Sequence, residues 1–202
     1  MSQNNRNFQH LIDQKRNGTS YNGEYVREIE YISFPSQHGA KTPKELLNMV
    51  TRLEKKVFPK TEALSIEKEM LKRTNKIYIA LLSSTDMKTS SNSDCHNHSI
   101  VVGYLVCNIC SIESRLRINK ICVDKDFRRQ GIGGSLMKKC IRETPNSITT
   151  VQLHVDTSRL EAIALYQSLG FNIKSKYLDY YSAGRDAFIM EYIIVAESGI
   201  GI

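Results

Sequence analysis

The chain has 202 residues, of which 41% are hydrophobic and 24% are charged, a composition typical of folded soluble proteins and not of disordered or fibrous ones. Lysine and arginine number 28 against 21 acidic residues, and the resulting net charge of +7 favours an anionic partner. The basic residues are spread from Arg6 to Arg185 and do not form a stripe interleaved with aromatics, so we do not expect a nucleic-acid partner.

The cysteines and the apolar runs indicate the compartment. Five cysteines at irregular spacing suit a reducing environment better than a secreted disulfide scaffold. The longest apolar runs, such as Ile100 to Cys107, are much shorter than the ~20 residues that span a bilayer, and the N-terminus lacks the apolar stretch of a signal peptide. We therefore expect a cytoplasmic protein with no membrane partner.

The chain is expected to form one domain between two short tails. Residues 1–26 are rich in Asn, Gln, Arg and Ser with little apolar periodicity, which predicts a poorly ordered arm. Residues 27–196 carry the domain, and residues 197–202 form a C-terminal tail. Arg27 to Phe34 is extended in character and ends at Pro35, which predicts the first strand.

Two helices are predicted next. Thr42-Pro43-Lys44-Glu45 combines a candidate N-cap, a proline at the first helical position and an acid in the first turn. Apolar residues from Leu46 to Phe58 recur at helical spacing, and Pro59 ends the run. Ser65-Ile66-Glu67-Lys68 is a capping box that predicts a shorter second helix.

The rest of the chain alternates between strands and helices. A hairpin with a long polar loop is followed by strand, helix, strand, helix and two closing strands. The predicted strands are Lys76–Leu82, Ser99–Cys110, Arg115–Val123, Thr149–Val155, Phe171–Tyr180 and Ala187–Val195. The predicted helices are Gly134–Arg142 and Leu160–Leu169. This order predicts a mixed α/β domain without internal repeats.

A glycine-rich turn joins the strand ending at Val123 to the helix that follows. Free backbone N–H groups and the positive end of a helix favour a phosphate there, and glycines allow close approach. The turn lacks the lysine of a nucleotide-triphosphate P-loop, and Leu136 stands where a dinucleotide fingerprint has its third glycine. The alternative is that the glycines serve only to pack the helix on the sheet.

Two motifs identify the family that the sequence resembles. Arg128-x-x-Gly131-x-Gly133, followed by Ala162-Ile163-Ala164-Leu165-Tyr166-Gln167-Ser168-Leu169-Gly170-Phe171, is similar to the GNAT family of acetyl-coenzyme A dependent N-acetyltransferases. The resemblance covers roughly Arg27 to Val195. It implies an α/β (α+β) GNAT fold, with a mixed sheet of about seven strands and four helices, splayed at the cofactor-binding strand.

Within that family the sequence looks most like the protein N-terminal acetyltransferases, including the bacterial ribosomal-protein enzymes. The residues that carry this likeness are His154-Val155 followed by the Ala162–Phe171 motif, and Asp179-Tyr180-Tyr181 followed by Arg185-Asp186-Ala187.

The resemblance also implies the cofactor site, for acetyl-CoA or coenzyme A. Arg159 replaces an asparagine that usually contacts pantetheine in the family, and its guanidinium is a candidate for a cofactor phosphate. The pantetheine arm is expected along Ile121, Cys122 and Val123. The pyrophosphate is expected at the backbone of Arg128, Arg129, Gln130, Gly131, Ile132, Gly133, Gly134 and Ser135.

Tyr166 and His154 are the candidate catalytic residues. In similar enzymes the tyrosine at this position protonates the departing sulfur, and the residue at the histidine position accepts the amine proton; Tyr166 is also expected to touch the cofactor. A packed core aromatic and a hydrogen-bonded strand histidine are the alternatives.

The acceptor is expected to lie against aromatic side chains. Tyr180 and Tyr181 match paired tyrosines that hold the first peptide units in similar enzymes, and Tyr31 or Phe34 is a candidate for the opposite wall. Ordinary cross-strand packing is the alternative for the tyrosine pair.

No metal site is expected. Cys95-His96-Asn97-His98 has ligand-type residues but lies in a polar loop without a second cluster. Cys107 and Cys110 are three apart on a strand, so their side chains face opposite sides, and both are expected to be core thiols.

The leading functional interpretation is acetyl transfer to a peptide or protein N-terminus by a monomer or weak homodimer. A small-molecule amine acetyltransferase, for polyamines for example, and a non-catalytic module that binds coenzyme A remain alternatives. The net charge of +7 disfavours cationic small molecules.

Overall fold

The computed structural model describes residues 27–34, 43–84 and 98–195. The predicted arm, the C-terminal tail, most of the polar loop and its Cys95-His96-Asn97 residues lie outside these ranges. The strands are β1 (Arg27–Phe34), β2 (Asn75–Ser84), β3 (His98–Cys110), β4 (Arg115–Val123), β5 (Thr150–Asp156), β6 (Asn172–Ser182) and β7 (Arg185–Ile193). The helices are α1 (Pro43–Val57), α2 (Ile66–Met70), α3 (Ile132–Arg142) and α4 (Leu160–Ser168), with a 3-10 turn at Lys125–Phe127.

The seven strands form one mixed sheet in the order β1-β2-β3-β4-β5-β7-β6. The pairings are antiparallel apart from β4 with β5, which run parallel because α3 returns the chain to the same end of the sheet. The predicted fold class, a seven-stranded mixed sheet with four α-helices, is confirmed over the described part of the chain.

Strands β4 and β5 separate halfway along their length. They pair from Arg115 with Thr150 only as far as Ile118 with Leu153, although β4 continues to Val123 and β5 to Asp156. A register shift on the other side of β4 pairs Ile118 with Cys107 and Lys120 with Val106, which leaves Asn119 as the extra residue of a bulge. The splay predicted from the family resemblance is therefore present.

A separate apolar cluster covers each face of the sheet. Leu46, Val50 and Leu53, four and three residues apart on α1, are buried against one face together with Ile66 of α2. Helices α3 and α4 cover the other face: their buried residues are Ile132, Leu136, Met137, Cys140, Ile163 and Tyr166. The sheet is buried on both sides where β2 and β3 lie, whereas β4 alternates between buried and exposed residues over its first half.

Several local expectations are corrected. Helix α3 begins at Ile132, two residues before the predicted start, so the glycines form its first turn. Ser65 occupies the N-cap of α2 with an extended backbone, but its side chain makes no capping hydrogen bond. Cys107 is buried as expected, whereas Cys110 is partly exposed and is not a core thiol.

No helix in the described ranges is long and apolar enough to cross a lipid bilayer. Within the same ranges, no three His, Cys, Asp or Glu side chains are grouped so that they could hold a metal ion.

Candidate active site

The corner between β4 and α3 exposes backbone N–H groups at a helix start. Gly131 is the N-cap, with φ of 77°, and its carbonyl accepts the first helical hydrogen bond, from the N–H of Ser135 at 2.9 Å. The N–H groups of Ile132, Gly133 and Gly134 precede that bond and have no acceptor within the helix. Arg129 also has a positive φ, of 61°. Left-handed residues at such a turn aim successive N–H groups into one concave surface, which suits an anion.

The glycines of this turn have different roles. A Cβ at Gly131 would meet no atom within 4 Å, so this glycine is required by its left-handed backbone and leaves the corner open. A Cβ at Gly133 would lie 3.2 Å from Cδ2 of Leu165, so this glycine lets α3 approach α4 closely. The packing interpretation thus applies to Gly133, and the open corner lies at Gly131.

Charged side chains anchor the corner to the rest of the domain. The carboxylate of Asp124 accepts hydrogen bonds from Nζ of Lys56 at 2.7 and 3.0 Å and from the N–H of Asp126 at 3.3 Å. The N–H of Asp124 donates to the carbonyl of Val102 at 2.9 Å. Asp124 therefore connects the corner to α1 and β3, a role that the sequence motif did not reveal.

The end of β4 that pairs with β3 but no longer with β5 carries the predicted pantetheine residues. Ile121 and Val123 pack toward α3 and α4, whereas Cys122 belongs to the apolar cluster under α1. Burial, with a further contribution from Glu54, raises the pKa of the Cys122 thiol to about 12. A thiol that stays protonated is a poor nucleophile, so a role of Cys122 at the pantetheine arm would use its backbone groups and not its sulfur.

Tyr166 projects from α4 into the apolar cluster beside this corner. Its side chain is 6% exposed, and its ring lies 6.1 Å from that of Phe171. Burial raises the pKa of the Tyr166 phenol to about 12, although Arg159 acts in the opposite direction. The hydroxyl is therefore protonated at neutral pH and available as a proton donor.

His154 lies at the point where β5 parts from β4, one residue beyond the last parallel pair. Its imidazole stacks on the ring of Tyr180 with the centroids 4.8 Å apart and the planes 7° from parallel. Burial, and then the positive charge of Arg117, lowers the pKa of His154. The imidazole is therefore neutral at pH 7 and able to accept a proton.

The structure brings some of the predicted acceptor residues together and separates others. Tyr180 and Tyr181 contact each other edge to face, with centroids 4.9 Å apart, beside His154. Tyr31 and Phe34 lie on β1, at the opposite edge of the sheet from β6, and they pack into clusters on different faces. The structure thus does not bring Tyr31 or Phe34 to the tyrosine pair.

An ionic network that sequence reasoning missed adjoins the tyrosines. Arg185 donates from Nη1 to Oε1 of Glu62 at 2.9 Å, and from Nε at 3.0 Å and Nη2 at 2.9 Å to Oδ2 of Asp156. Arg159, the candidate for a cofactor phosphate, directs Nη2 to Oε2 of Glu62 at 3.4 Å. Glu62 and Arg185 are 123 residues apart in sequence, which is why no local motif signalled the pair.

The comparisons of this chain with known proteins agree with one another on the family. A sequence model described as the Acetyltransferase (GNAT) family matches residues 48–171, more than half of the chain. The [Ribosomal protein bS18]-alanine N-acetyltransferase of Escherichia coli strain K12 is 45% identical over 74 residues, which are 35% of this chain and 50% of that one. The chain spans about half the length of the curated relatives it matches first.

Two solved structures have a similar fold. The crystal structure of the ribosomal-protein-S18-alanine N-acetyltransferase from Escherichia coli has a TM-score of 0.59 at 22% identity, over 88% of this chain and 100% of that one. A crystal structure of the NatC complex bound to Gag peptide and CoA has a TM-score of 0.61 at 18% identity, over 83% of this chain and 99% of that one.

Proposed function

The chain belongs to the acetyltransferase (GNAT) family, and on that premise we propose that it transfers an acetyl group from acetyl-CoA directly to a protein or peptide amine, specifically an N-terminal α-amine. The observation that carries the proposal is the parting of β4 from β5 after Ile118 and Leu153, which occurs directly before His154 on β5 and on the strand that leads to the open helix start at Gly131. Tyr166 of α4 packs in the same apolar cluster as Ile132 of α3. Acyl transfer to an amine needs an anion site, an acid and a base in one place.

The residues at the β4–α3 corner fit the diphosphate of coenzyme A. The open space at Gly131 and the unpartnered N–H groups at the start of α3 offer donors to anionic oxygens, and Arg128 and Arg129 add positive charge. From Ile121 to Val123 β4 pairs with β3 but not with β5, so the backbone groups that face away from β3 are open to the pantetheine amides. When bound, acetyl-CoA supplies an acyl group activated as a thioester.

Tyr166 is the proposed general acid. Its buried phenol holds a proton at Oη that the departing thiolate sulfur takes, and its raised pKa keeps that proton in place until the sulfur develops charge.

His154 is the proposed general base, acting directly or through water. Its lowered pKa keeps the imidazole unprotonated at physiological pH, when an unperturbed α-amine with a pKa of about 8 is still largely protonated.

The aromatic pair supports a peptide acceptor over a polyamine. Tyr180 and Tyr181 are both about half exposed and present ring faces and hydroxyls beside His154, which suits the first peptide units of an acceptor. Three carboxylates near the pair are engaged by cations: Glu62 and Asp156 by Arg185, and Asp186 by Lys176. Paired carboxylates attract a polycation weakly, so a small-molecule amine acetyltransferase is the disfavoured alternative.

The deciding experiment measures thiol release from acetyl-CoA with a panel of N-terminal peptides, with free polyamines and with no acceptor. Peptide-dependent release that an N-terminally blocked peptide abolishes supports the proposal. Release driven by polyamines supports the small-molecule alternative, and binding of coenzyme A with no release under any condition supports the non-catalytic module. The Tyr166→Phe variant controls for background hydrolysis.

The proposed setting is the cytoplasm, with the protein acting as a monomer or weak homodimer. The four cysteines in the described ranges, Cys107, Cys110, Cys122 and Cys140, are all free thiols, which suits a reducing compartment.

A further inference from the structure

Four charged side chains from four separate parts of the fold meet beside the tyrosine pair. Glu62 lies between α1 and α2, Asp156 ends β5, Arg159 precedes α4 and Arg185 begins β7. We call Glu62, Asp156, Arg159 and Arg185 the charge bridge. Arg185 is its centre, because it contacts both carboxylates at 2.9 to 3.0 Å while Arg159 reaches only Glu62.

The backbone that carries Glu62 is held independently of the charge bridge. Nζ of Lys120, on β4, donates to the carbonyl of Glu62 at 2.6 Å, and the N–H of Leu64 donates to Oε1 of Glu54 at 2.6 Å. Lys120 is itself paired with the buried Glu54 at 3.1 Å. The Glu62 side chain therefore extends from a fixed base and gives Arg185 a defined point of attachment.

A continuous series of contacts leads from Arg185 to the candidate base. The Arg185 guanidinium carbon lies 5.3 Å from the centroid of the Tyr181 ring. Tyr181 contacts Tyr180 edge to face, and Tyr180 stacks on His154. Two aromatic rings thus connect Arg185 with the imidazole of His154.

The charge bridge is expected to contribute little to the free energy of unfolding and more to the orientation of its side chains. The side chains of Arg185 and Glu62 are 40% and 30% exposed, and partly exposed ion pairs contribute little to stability. A planar guanidinium that serves two carboxylates at once nevertheless fixes direction, because its donors form a rigid fork.

We propose that Arg185 is a positioning residue for the acceptor: it holds the 58–65 segment and the β6–β7 hairpin at a fixed separation and sets the Tyr181 and Tyr180 rings beside His154. This inference rests on the proposed function, because it assigns the acceptor entrance of that same site. It assigns Glu62 and Asp156 as the two anchors of Arg185.

The primary test is the steady-state kinetics of Arg185→Ala with an N-terminal peptide as acceptor. KM for the peptide is expected to rise about tenfold, with kcat and KM for acetyl-CoA changed by less than about twofold. The melting temperature is expected to stay within about 3 °C of wild type. Lys174→Ala is the matched control, because it removes a β6 cation paired with Glu191 at 3.8 Å that does not reach the 58–65 segment.

Two further variants separate geometry from charge. Arg185→Lys keeps the charge but loses the fork, so it is expected to recover only part of the wild-type KM. Adding Glu62→Ala to Arg185→Ala is expected to raise KM by much less than the product of the two single effects, since both substitutions break the Arg185–Glu62 contact and only the longer Arg159–Glu62 contact is lost in addition. Full recovery by lysine, or additive losses in the double variant, would overturn the positioning role.

The remaining outcomes distinguish this inference from the proposed function. A wild-type protein that acetylates peptides while Arg185→Ala leaves the peptide KM unchanged overturns the inference alone. A large fall in melting temperature, or a loss confined to kcat, also overturns it. If wild type acetylates no peptide, the proposed function fails and the acceptor role of Arg185 fails with it. Amide exchange in residues 58–65 then tests the charge bridge itself, with faster exchange expected in Arg185→Ala and not in Lys174→Ala.

Discussion

The phenol of Tyr166 is deeply buried in the apolar cluster that also contains Ile132, the first residue of α3. A tyrosine that serves only as a packing residue loses little when its hydroxyl is removed, because the ring keeps its contacts with Phe171. A tyrosine that donates a proton in the reaction loses that function when its hydroxyl is removed. The Tyr166→Phe substitution therefore separates the two interpretations that the sequence left open.

We predict that Tyr166→Phe lowers kcat by about 100-fold or more, within the range observed for lost general acids, and changes KM for acetyl-CoA by less than about threefold. Thiol release under saturating acceptor measures the first quantity, and a titration of acetyl-CoA measures the second. A variant with wild-type kcat would show that the phenol is only a packing group.

His154 carries the second residue-level prediction. Burial and Arg117 both disfavour the imidazolium, so the pKa of His154 in the folded protein is expected below 6.5. Arg117→Ala removes the smaller of the two effects and is expected to raise that pKa. NMR titration of the imidazole, with the resonance assigned by its loss in His154→Gln, provides the measurement. A pKa above 6.5 in wild type would contradict the expected effects of burial and of Arg117 on the imidazole.

At the level of elements, the first turn of α3 must satisfy two requirements. It keeps Gly131 open toward solvent and brings Gly133 against Leu165 of α4. Neighbouring glycines in one helix therefore differ in their tolerance of a methyl group.

We predict that Gly134→Ala increases the free energy of unfolding by up to about 1 kcal/mol, because alanine favours the helix and its Cβ would meet Leu165 Cδ1 at an ordinary 3.9 Å. Gly133→Ala is expected to be less stable than Gly134→Ala, since its Cβ would crowd Leu165 at 3.2 Å. Urea unfolding of the two variants measures the difference. The opposite order would mean that Leu165 of α4 moves to accommodate the added Cβ with no loss in the free energy of unfolding.

The elements that the sequence predicted well are those determined by local patterns. The bounds of β4 and the placement of α1 and α4 agree with hydrophobic periodicity and with proline and glycine signals, because the causes of these elements lie within a few residues. The start of α3 was placed two residues late because glycine has low helix propensity, which the tertiary contact at Gly133 overrides.

The candidate site was predictable where its motif is continuous. The glycine turn and Tyr166 belong to local patterns, and His154 follows from strand alternation. The partners of Arg185 and Arg159 depend on where Glu62 is placed by folding, and no spacing rule connects residues 62 and 185. For the same reason the sequence did not indicate the contact between Arg159 and Glu62. The role of Arg159 at a cofactor phosphate stays a prediction.

At the scale of the whole molecule, the two apolar clusters share one sheet. Residues of β2 alternate between them, with Tyr78 and Ala80 packed on the α3–α4 side and Ile77 and Ile79 on the α1 side. Loss of either helical layer exposes the sheet that supports the other, so we expect the described domain to unfold in one cooperative transition.

Ligand binding at the β4–α3 corner should therefore stabilise the entire domain. Coenzyme A at 100 times its Kd is expected to add about 2.7 kcal/mol, which corresponds to a rise of roughly 5–10 °C in Tm for a domain of this size. Differential scanning fluorimetry across a coenzyme A series measures the shift. A constant Tm would contradict binding at this corner, and the adenine nucleotide ATP serves as the control polyanion.

The parting of β4 from β5 leaves a stretch of strand edge inside the sheet instead of at its border. Every second amide of Asn119 to Val123 points away from β3, toward a side where the parallel ladder has already ended. In the free protein, deuterium should replace hydrogen at alternate positions of this strand, with slow and fast sites one residue apart. Occupation by pantetheine would erase that alternation, which makes the isotope pattern a footprint of the cofactor's path.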